Sequence, residues 1–205
     1  MSTMAEKTSR DRRREAIIEV AREVFFEEGY AAASMSTIAA RLGGSKGTLY
    51  NYFRSKDELF EAQVREGCER VSRNTFDPLS EDRPIYEQLS LMGERFLGML
   101  YTDWVIRTYR MVVAESVRTP QVARIFYEAG PAVGVSRLAS YLETLVTNGS
   151  LRLEDCHAAA GEFLNLCRGH HHFMFVLNLV EPLDPEQIRA QARQATAMFI
   201  KSYGG

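Results

Sequence analysis

The chain has 205 residues, of which 45% are hydrophobic and 25% are charged, and its formal net charge is −2. These values are ordinary for a globular protein, and no apolar run approaches the roughly 20 residues that span a bilayer. Three scattered cysteines do not form a disulfide framework or a zinc motif, and the N-terminal segment has no apolar signal core, so we expect a cytoplasmic protein without a membrane partner.

Charge is distributed unevenly along the chain. Residues 1–56 contain ten basic and seven acidic residues, a net charge of +3, whereas the remainder contains fifteen and twenty, a net charge of −5. No acidic residue lies between Glu28 and Asp57, although four basic residues do. A charge run is usually a solvated helix face, but an acid-free window around a short helix favours a polyanionic partner.

The first two predicted helices follow from apolar spacing and end signals. Apolar residues at i, i+3, i+4 and i+7 predict an amphipathic helix over 10–28, which Gly29 ends. Ser34 is the predicted N-cap of a helix over 35–42, and Gly43 ends that helix with a positive φ.

The next two helices begin at serine caps. Ser45 is the predicted N-cap of a short helix over 46–52. Ser55 and Glu58 read as a capping box that starts a fourth helix, which extends to about Asn74 before an Asp-Pro pair breaks it.

The rest of the chain also has helical periodicity, and no segment of useful length has the period of a strand. Further helices are predicted at 85–101, 103–117, 120–128, 131–148, 155–179 and 185–202. We therefore expect an all-α protein of about nine or ten helices. Its expected parts are an N-terminal three-helix domain over 1–56, a bridging helix over 56–75 and a larger helical domain over 76–205.

The second and third predicted helices form a helix-turn-helix pattern, in which the second helix enters the major groove of DNA. Leu49 and Phe53, spaced i, i+4, bury one face of the short helix, so its other positions are available for phosphates and base edges. The residues that we expect at double-stranded DNA are Ser36, Thr37, Ser45, Lys46, Gly47, Thr48, Tyr50, Asn51, Tyr52 and Lys56. Short helices joined by glycine also occur in proteins that bind no DNA, and tyrosine pairs are more often half-buried packing.

Residues 16–60, AIIEVAREVFFEEGYAAASMSTIAARLGGSKGTLYNYFRSKDELF, resemble the N-terminal domain of TetR/AcrR-family transcriptional regulators. The resemblance rests on the helix end and turn over Phe26 to Tyr30, the TIAxxLG segment, SKGTLYxYF and the SKxxLF start of the next helix. One departure is Gly44, where the family usually has an apolar residue, and its missing side chain is expected to loosen packing between the second and third helices.

The resemblance implies an all-helical homodimer that binds a palindromic operator, usually as a repressor, and releases it when a small molecule enters the C-terminal domain. It further implies a four-helix dimer interface, which we assign to the helices at about 131–148 and 155–179. Residues 110–131 resemble a subgroup that includes efflux-pump and stress-response repressors.

The C-terminal half is rich in aromatic side chains, which are expected to line a pocket for a small apolar or aromatic effector. The candidate ligand-binding residues are Phe96, Leu100, Trp104, Tyr109, Phe126, Tyr127, Phe163 and Phe173. The alternative for each of them is ordinary core packing. The run His170–His172 is not expected to bind a metal, because consecutive helical residues point about 100° apart. We expect no metal and no cofactor.

Two other function classes compete with a ligand-responsive regulator. A cofactor-free helical enzyme is disfavoured because the sequence has no nucleophile elbow, phosphate loop, HExxH or CxxC motif. A DNA-binding regulator without an effector would bind DNA with an affinity that no metabolite changes. A variant of the leading hypothesis makes Cys68, Cys156 or Cys167 an oxidation sensor, although no neighbouring group marks a reactive thiolate.

Overall fold

A computed structural model describes residues 8–73, 75–76 and 83–203 of the chain. The described residues form ten α-helices, and the predicted all-α fold class is confirmed. The helices are α1 Ser9–Ala32, α2 Met35–Arg41, α3 Lys46–Tyr50, α4 Lys56–Ser72, α5 Ile85–Leu100, α6 Asp103–Glu115, α7 Pro120–Ala129, α8 Pro131–Thr147, α9 Cys156–Val176 and α10 Pro185–Tyr203. The predicted end of the fourth helix near Asn74 and the Asp77-Pro78 break lie outside the described residues.

The chain divides into two compact units. The first contains the described residues of Met1–Gly67 together with Arg107–Phe126, and the second contains those of Cys68–Ile106 and Tyr127–Gly205. The sequence-based domains assign 107–126 to the C-terminal domain, whereas in the structure these residues belong to the first unit. One contact that ties them to α1 is the guanidinium of Arg107, which lies 4.4 Å from the centroid of the Phe26 ring.

Local side-chain caps begin the helices of the first unit as predicted. Ser34 Oγ accepts a hydrogen bond from the backbone N–H of Thr37 at the start of α2, and Ser45 Oγ accepts one from Thr48 at the start of α3. At α4 only half of the predicted capping box forms. Ser55 Oγ accepts from the Glu58 N–H at 3.1 Å, but the Glu58 carboxylate accepts from the N–H of Arg54.

Aromatic rings form the centre of the first unit. The ring of Phe60 lies edge-on to Phe25, with centroids 5.4 Å apart, and to Tyr30, with centroids 5.0 Å apart. Leu49 and Phe53 are buried against this unit, as their spacing predicted. The reading of α3 as a helix that buries one narrow face therefore agrees with the structure.

The second unit has its own apolar core, to which α5, α8, α9 and α10 all contribute. Its fully buried side chains include Leu89, Leu138, Phe163 and Phe199. Helix α9 is interrupted at Gly169, where the backbone is non-helical with φ 58° and ψ −170°. The helix predicted over 155–179 is present as α9, but the break at Gly169 was not predicted. A glycine within helical periodicity is compatible with either continuation or a break, and tertiary contacts decide which one occurs.

None of the helices that the structure describes is both long and apolar enough to cross a membrane.

Candidate nucleic-acid interface

The turn between α2 and α3 is a Schellman motif. Gly43 has φ 66°, and its N–H donates to the carbonyl of Ala40 at 3.1 Å. The N–H of Gly44 donates to the carbonyl of Ala39 at 3.3 Å. These two bonds satisfy carbonyls at the end of α2 and direct the chain into α3 within three residues.

Helix α3 has a buried face and a larger exposed face. Leu49 is fully buried, whereas Tyr50 is 50% exposed. Lys46, Gly47 and Asn51 are also exposed. The outward face of α3, which we define as Lys46, Gly47, Tyr50 and Asn51, thus carries a cation, a hydroxyl and an amide.

Gly47 has no structural requirement within the fold. Among the described residues, a Cβ atom added there would meet only Ser45 Oγ, at an ordinary contact distance of 3.6 Å. Alanine would therefore fit and would favour the helix by about 1 kcal/mol. The glycine leaves the backbone accessible at the centre of the outward face of α3.

Several other predicted DNA contacts are partly used within the fold. The hydroxyls of Ser45 and Thr48 lie 3.1 Å apart and form part of the α3 cap. Thr37 is bonded in the same way to the Ser34 cap of α2, while Ser36 is exposed. Tyr52 is half-buried. The capping hydroxyls therefore stabilise the starts of α2 and α3. A contact with DNA would use the donor or lone pair of each hydroxyl that is not engaged in the cap.

Lys56 has a contact different from the predicted one. Its ammonium donates hydrogen bonds to the carbonyls of Tyr30 at 2.7 Å and Ala31 at 3.3 Å, and it lies 4.4 Å from the centroid of the Tyr30 ring. These are carbonyls at the end of α1, where a cation is favourable. The structure therefore gives Lys56 a role in joining α4 to α1.

Basic residues near α3 also differ in whether they are paired. Arg41 forms an ion pair with Glu27, and this contact lowers the pKa of the Glu27 carboxyl. Arg14 is paired with Glu66 in α4. The sequence window without acids is thus partly neutralised by acids from outside it, and Lys46 remains without a described ion pair or hydrogen bond from its side chain.

The eight candidate ligand-binding residues are distributed over both units. Tyr109 and Phe126 belong to the first unit, where their ring centroids lie 6.0 Å apart. In the second unit, Phe96, Leu100 and Phe163 are buried members of the apolar core. Trp104 packs against that core, and its buried indole N–H has no hydrogen-bond partner among the described residues. Tyr127 and Phe173 are 58% and 60% exposed. The assignment of these residues to one pocket stays a prediction.

A groove of about 810 Å³ lies between α9 and α10 of the second unit. None of the eight candidate residues lines this groove, which was not predicted from the sequence. Its lining residues are Glu162, Asn165, Leu166, Gly169, His170, His171, Gln191, Gln194, Ala195, Met198, Phe199, Ser202 and Tyr203. The interruption at Gly169 lies on its wall, so an isolated glycine within helical periodicity was the available sequence signal.

The surroundings of His171, His172, Cys68 and Cys167 are those of side chains packed within the fold. Tyr101 and His171 share a hydrogen bond of 3.0 Å, and His172 is buried, which lowers its pKa to about 4. Among the described residues, no group of three or more His, Cys, Asp or Glu side chains is placed to hold a metal ion. Burial raises the pKa of both Cys68 and Cys167 to about 12, which disfavours the reactive thiolate.

Comparison with known families matches both parts of the chain. Residues 17–63 match the model described as bacterial regulatory proteins of the tetR family. Residues 87–205 match the C-terminal domain of AefR-like transcriptional repressors. The two matches lie on either side of the segment that contains the undescribed residues 77–82.

Individual relatives agree with these matches. The HTH-type transcriptional regulator UidR of Escherichia coli strain K12 is 32% identical over 124 residues, which are 60% of this chain and 59% of UidR. The solved structure of the flavonoid-responsive regulator FrrA is 33% identical, with a TM-score of 0.85, and the alignment covers 94% of this chain and 97% of FrrA. A putative TetR-family regulator from Mesorhizobium loti, 24% identical with a TM-score of 0.86 over 97% of this chain and 100% of its own, shares the fold. The match thus spans about three fifths of the length of UidR but nearly all of FrrA.

Proposed function

The chain belongs to the TetR family of bacterial regulatory proteins, and we propose that it is a homodimeric transcriptional repressor that binds a palindromic DNA operator and releases it when a small apolar or aromatic effector binds. The observation that carries the proposal is the outward face of α3, which follows a glycine turn and has exposed polar groups around a glycine that the fold itself does not require. A partner that approaches the backbone closely explains that glycine.

The exposed side chains suit a DNA groove. The ammonium of Lys46 is available for a phosphate or a guanine edge. The amide of Asn51 and the hydroxyl of Tyr50 supply neutral donors for phosphate oxygens or base edges. Helix α3 has only five residues, so one copy supplies few contacts, and two copies on a palindrome are needed for selective binding.

The second copy is proposed to pack on α9 and α10. The resemblance implied an interface formed by the helices at about 131–148 and 155–179, and on the first of these, α8, Leu138 and Leu142 are buried within the second unit. Apolar side chains with larger exposure lie on α9, on the segment after it and on α10: Phe173, Leu177, Leu179 and Met198 are each at least 51% exposed, whereas Val133 on α8 is 36% exposed. A contiguous set of exposed apolar side chains is normally covered by a partner, which supports an isologous interface next to the α9–α10 groove.

An aromatic effector is supported by two observations. The second unit has a core rich in aromatic residues, with a buried indole N–H of Trp104 that has no partner among the described residues. FrrA, which is 33% identical, is named as flavonoid-responsive. A planar molecule with a hydrogen-bond acceptor would match such surroundings.

The proposal is tested by measuring binding of the purified protein to DNA fragments from around its own gene at several salt concentrations. Selective, saturable binding and a footprint with dyad symmetry are expected. Lys46→Ala should reduce the slope of log K against log salt by about 0.9 per copy, hence by about 2 for a dimer. Lys201→Ala, which removes an exposed cation at the end of α10, is the matched control and should leave the slope unchanged.

Three results would argue against parts of the proposal. Weak binding that shows no sequence preference and disappears at physiological salt would contradict operator recognition. A monomer at micromolar concentration in analytical ultracentrifugation would contradict the dimer, and a Met198→Glu variant that remains fully dimeric would contradict the placement of its interface on α9 and α10. DNA affinity that no aromatic compound changes, in a screen that uses the footprinted operator, would favour a regulator without an effector.

A further inference from the structure

Consecutive arginines in the first helix have different surroundings. Arg14 is held inside the first unit, where it is paired with Glu66 and its guanidinium lies 5.3 Å from the centroid of the Phe53 ring. Arg13 is half-buried and has no ion pair or hydrogen bond from its side chain to any residue that the structure describes. Its guanidinium nevertheless reaches the α2–α3 turn, because Nη2 lies 3.4 Å from the position that a Cβ atom of Gly44 would occupy.

The backbone does not explain the glycine at position 44. Gly43 supplies the left-handed residue of the Schellman motif, and Gly44 does not have a positive φ. Its position in the motif commonly carries an apolar side chain that packs on the preceding helix. Within the part of the chain that the structure describes, the guanidinium of Arg13 is the one group that would lie within 4 Å of an added Cβ atom. The space that an apolar side chain would fill is therefore beside a cation.

This cation lies beside the turn that leads into α3. Gly44 directly precedes Ser45, the N-cap of α3, and the exposed Lys46 is the first residue of that helix. At the other end of α3, the guanidinium of Arg10 lies 6.0 Å from the centroid of the Tyr52 ring. Residues 29–56 contain no acid. A charged donor that lacks a partner among the described residues, on a surface without carboxylates of its own, is complementary to a phosphate.

We propose that Arg13 is a phosphate-binding residue of the DNA interface, which reaches duplex DNA from α1 across the Gly43-Gly44 turn, and that the absence of a side chain at Gly44 makes room for it. The inference rests on the proposed function, because it adds a contact to the same interface. The inference gives Arg13 a role in binding DNA, whereas Arg14 stabilises the fold through its ion pair with Glu66.

The first test is Arg13→Gln in the full-length protein, with the footprinted operator and salt varied from about 50 to about 300 mM. Loss of one charged contact per copy, hence two per dimer, should weaken binding roughly a hundredfold at the lower salt and reduce the salt slope by about 2 for the dimer. Arg13→Lys should recover most of the slope. The ratio of affinities for operator and scrambled DNA should stay the same, because a phosphate contact does not read sequence.

The second test uses Gly44. In Gly44→Ala the added Cβ stays at 3.4 Å from Nη2, an ordinary contact, and binding should match that of the unaltered protein. In Gly44→Val the methyl groups extend further, displace the guanidinium and should reproduce the lower salt slope of Arg13→Gln. Combining Gly44→Val with Arg13→Gln should cause little additional loss, because both changes remove the same contact.

Outcomes of these tests distinguish the inference from the proposed function. Selective binding by the unaltered protein together with an unchanged slope in Arg13→Gln would overturn the inference and leave the proposed function standing. A Gly44→Val variant that loses as much affinity in the Arg13→Gln background as alone would show that valine acts through folding of the turn. Failure of the unaltered protein to bind any fragment selectively would overturn both. Thermal unfolding of each variant identifies loss of the fold, and if Gly44→Val is lost in this way, the salt slope of Arg13→Gln against that of Arg13→Lys decides.

Discussion

Replacement of Gly169 by alanine tests why α9 is interrupted. At this glycine φ is 58° and ψ is −170°, a region that residues with a side chain rarely adopt. A Cβ atom there would lie 2.9 Å from Nε2 of Gln191. That amide donates hydrogen bonds to the carbonyl oxygens of Cys167 at 2.5 Å and Arg168 at 2.9 Å. Alanine therefore strains the backbone and also displaces the group that satisfies the interrupted helix.

The expected loss of stability has two parts. A side chain in this conformation costs about 1 to 3 kcal/mol. Two hydrogen bonds contribute about 1 kcal/mol each. Gly169→Ala should therefore lower the free energy of unfolding of the second unit by about 3 to 5 kcal/mol, which is a large share of the stability of a typical domain.

Urea unfolding followed by tryptophan fluorescence measures this change, because the chain has a single tryptophan, Trp104, and it belongs to the same unit as Gly169. Gln191→Ala is the control and should cost only the two hydrogen bonds, about 2 kcal/mol. In the double variant the alanine no longer meets the amide, so the combined loss should fall short of the sum by about 2 kcal/mol. A loss below about 0.5 kcal/mol in Gly169→Ala would refute the argument from strain, and full additivity would refute the argument from the contact.

Three further predictions concern stability. Lys56→Met should lower the free energy of unfolding by about 1 to 2 kcal/mol, since its ammonium bonds the last carbonyls of α1; an unchanged urea midpoint with a reduced salt slope of DNA binding would instead assign it to DNA. Because burial lowers the pKa of His172 from 6.5 to about 4, the unfolded chain takes up a proton between these values that the folded chain does not, and stability should fall as pH is lowered through this window. His172→Gln should show a smaller difference between urea midpoints at about pH 7 and about pH 5, and equal differences would contradict the assignment. Tyr141→Phe leaves the buried Gln88 Oε1 without its hydrogen bond of 2.5 Å. The free energy of unfolding measured with urea should therefore fall by about 1 to 2 kcal/mol, and an unchanged value would show that water replaces the hydroxyl.

Contacts between neighbours in the chain were predictable. The caps of α2 and α3 join Ser34 to Thr37 and Ser45 to Thr48, and each bond closes over three residues. The positive φ of Gly43 likewise belongs to a single turn. Such interactions depend on local sequence, so residues 16–60 alone were sufficient to infer the helix-turn-helix and the family, and helical periodicity along the chain was sufficient to infer the all-α class.

Contacts between residues far apart in the chain could not be inferred in this way. Arg14 and Glu66 are 52 positions apart, and Lys56 and the Tyr30 carbonyl are 26 apart. Lys56 was expected at DNA from the sequence, whereas in the structure it bonds carbonyls at the end of α1. Which cation is used for folding depends on the carboxylate or carbonyl that the tertiary structure brings within hydrogen-bond distance.

The sequence by itself determined where the helices lie, the caps of α2 and α3 and the short polar helix after the glycine turn, because hydrogen bonds within one or two turns and the apolar period define them. Tertiary structure alone decided that Gly169 interrupts α9, that 107–126 belong to the first unit and that Arg13 lies beside Gly44. Each of these depends on a partner from a distant helix, such as the Gln191 amide at the break in α9, and a local pattern contains no information about the position of that partner.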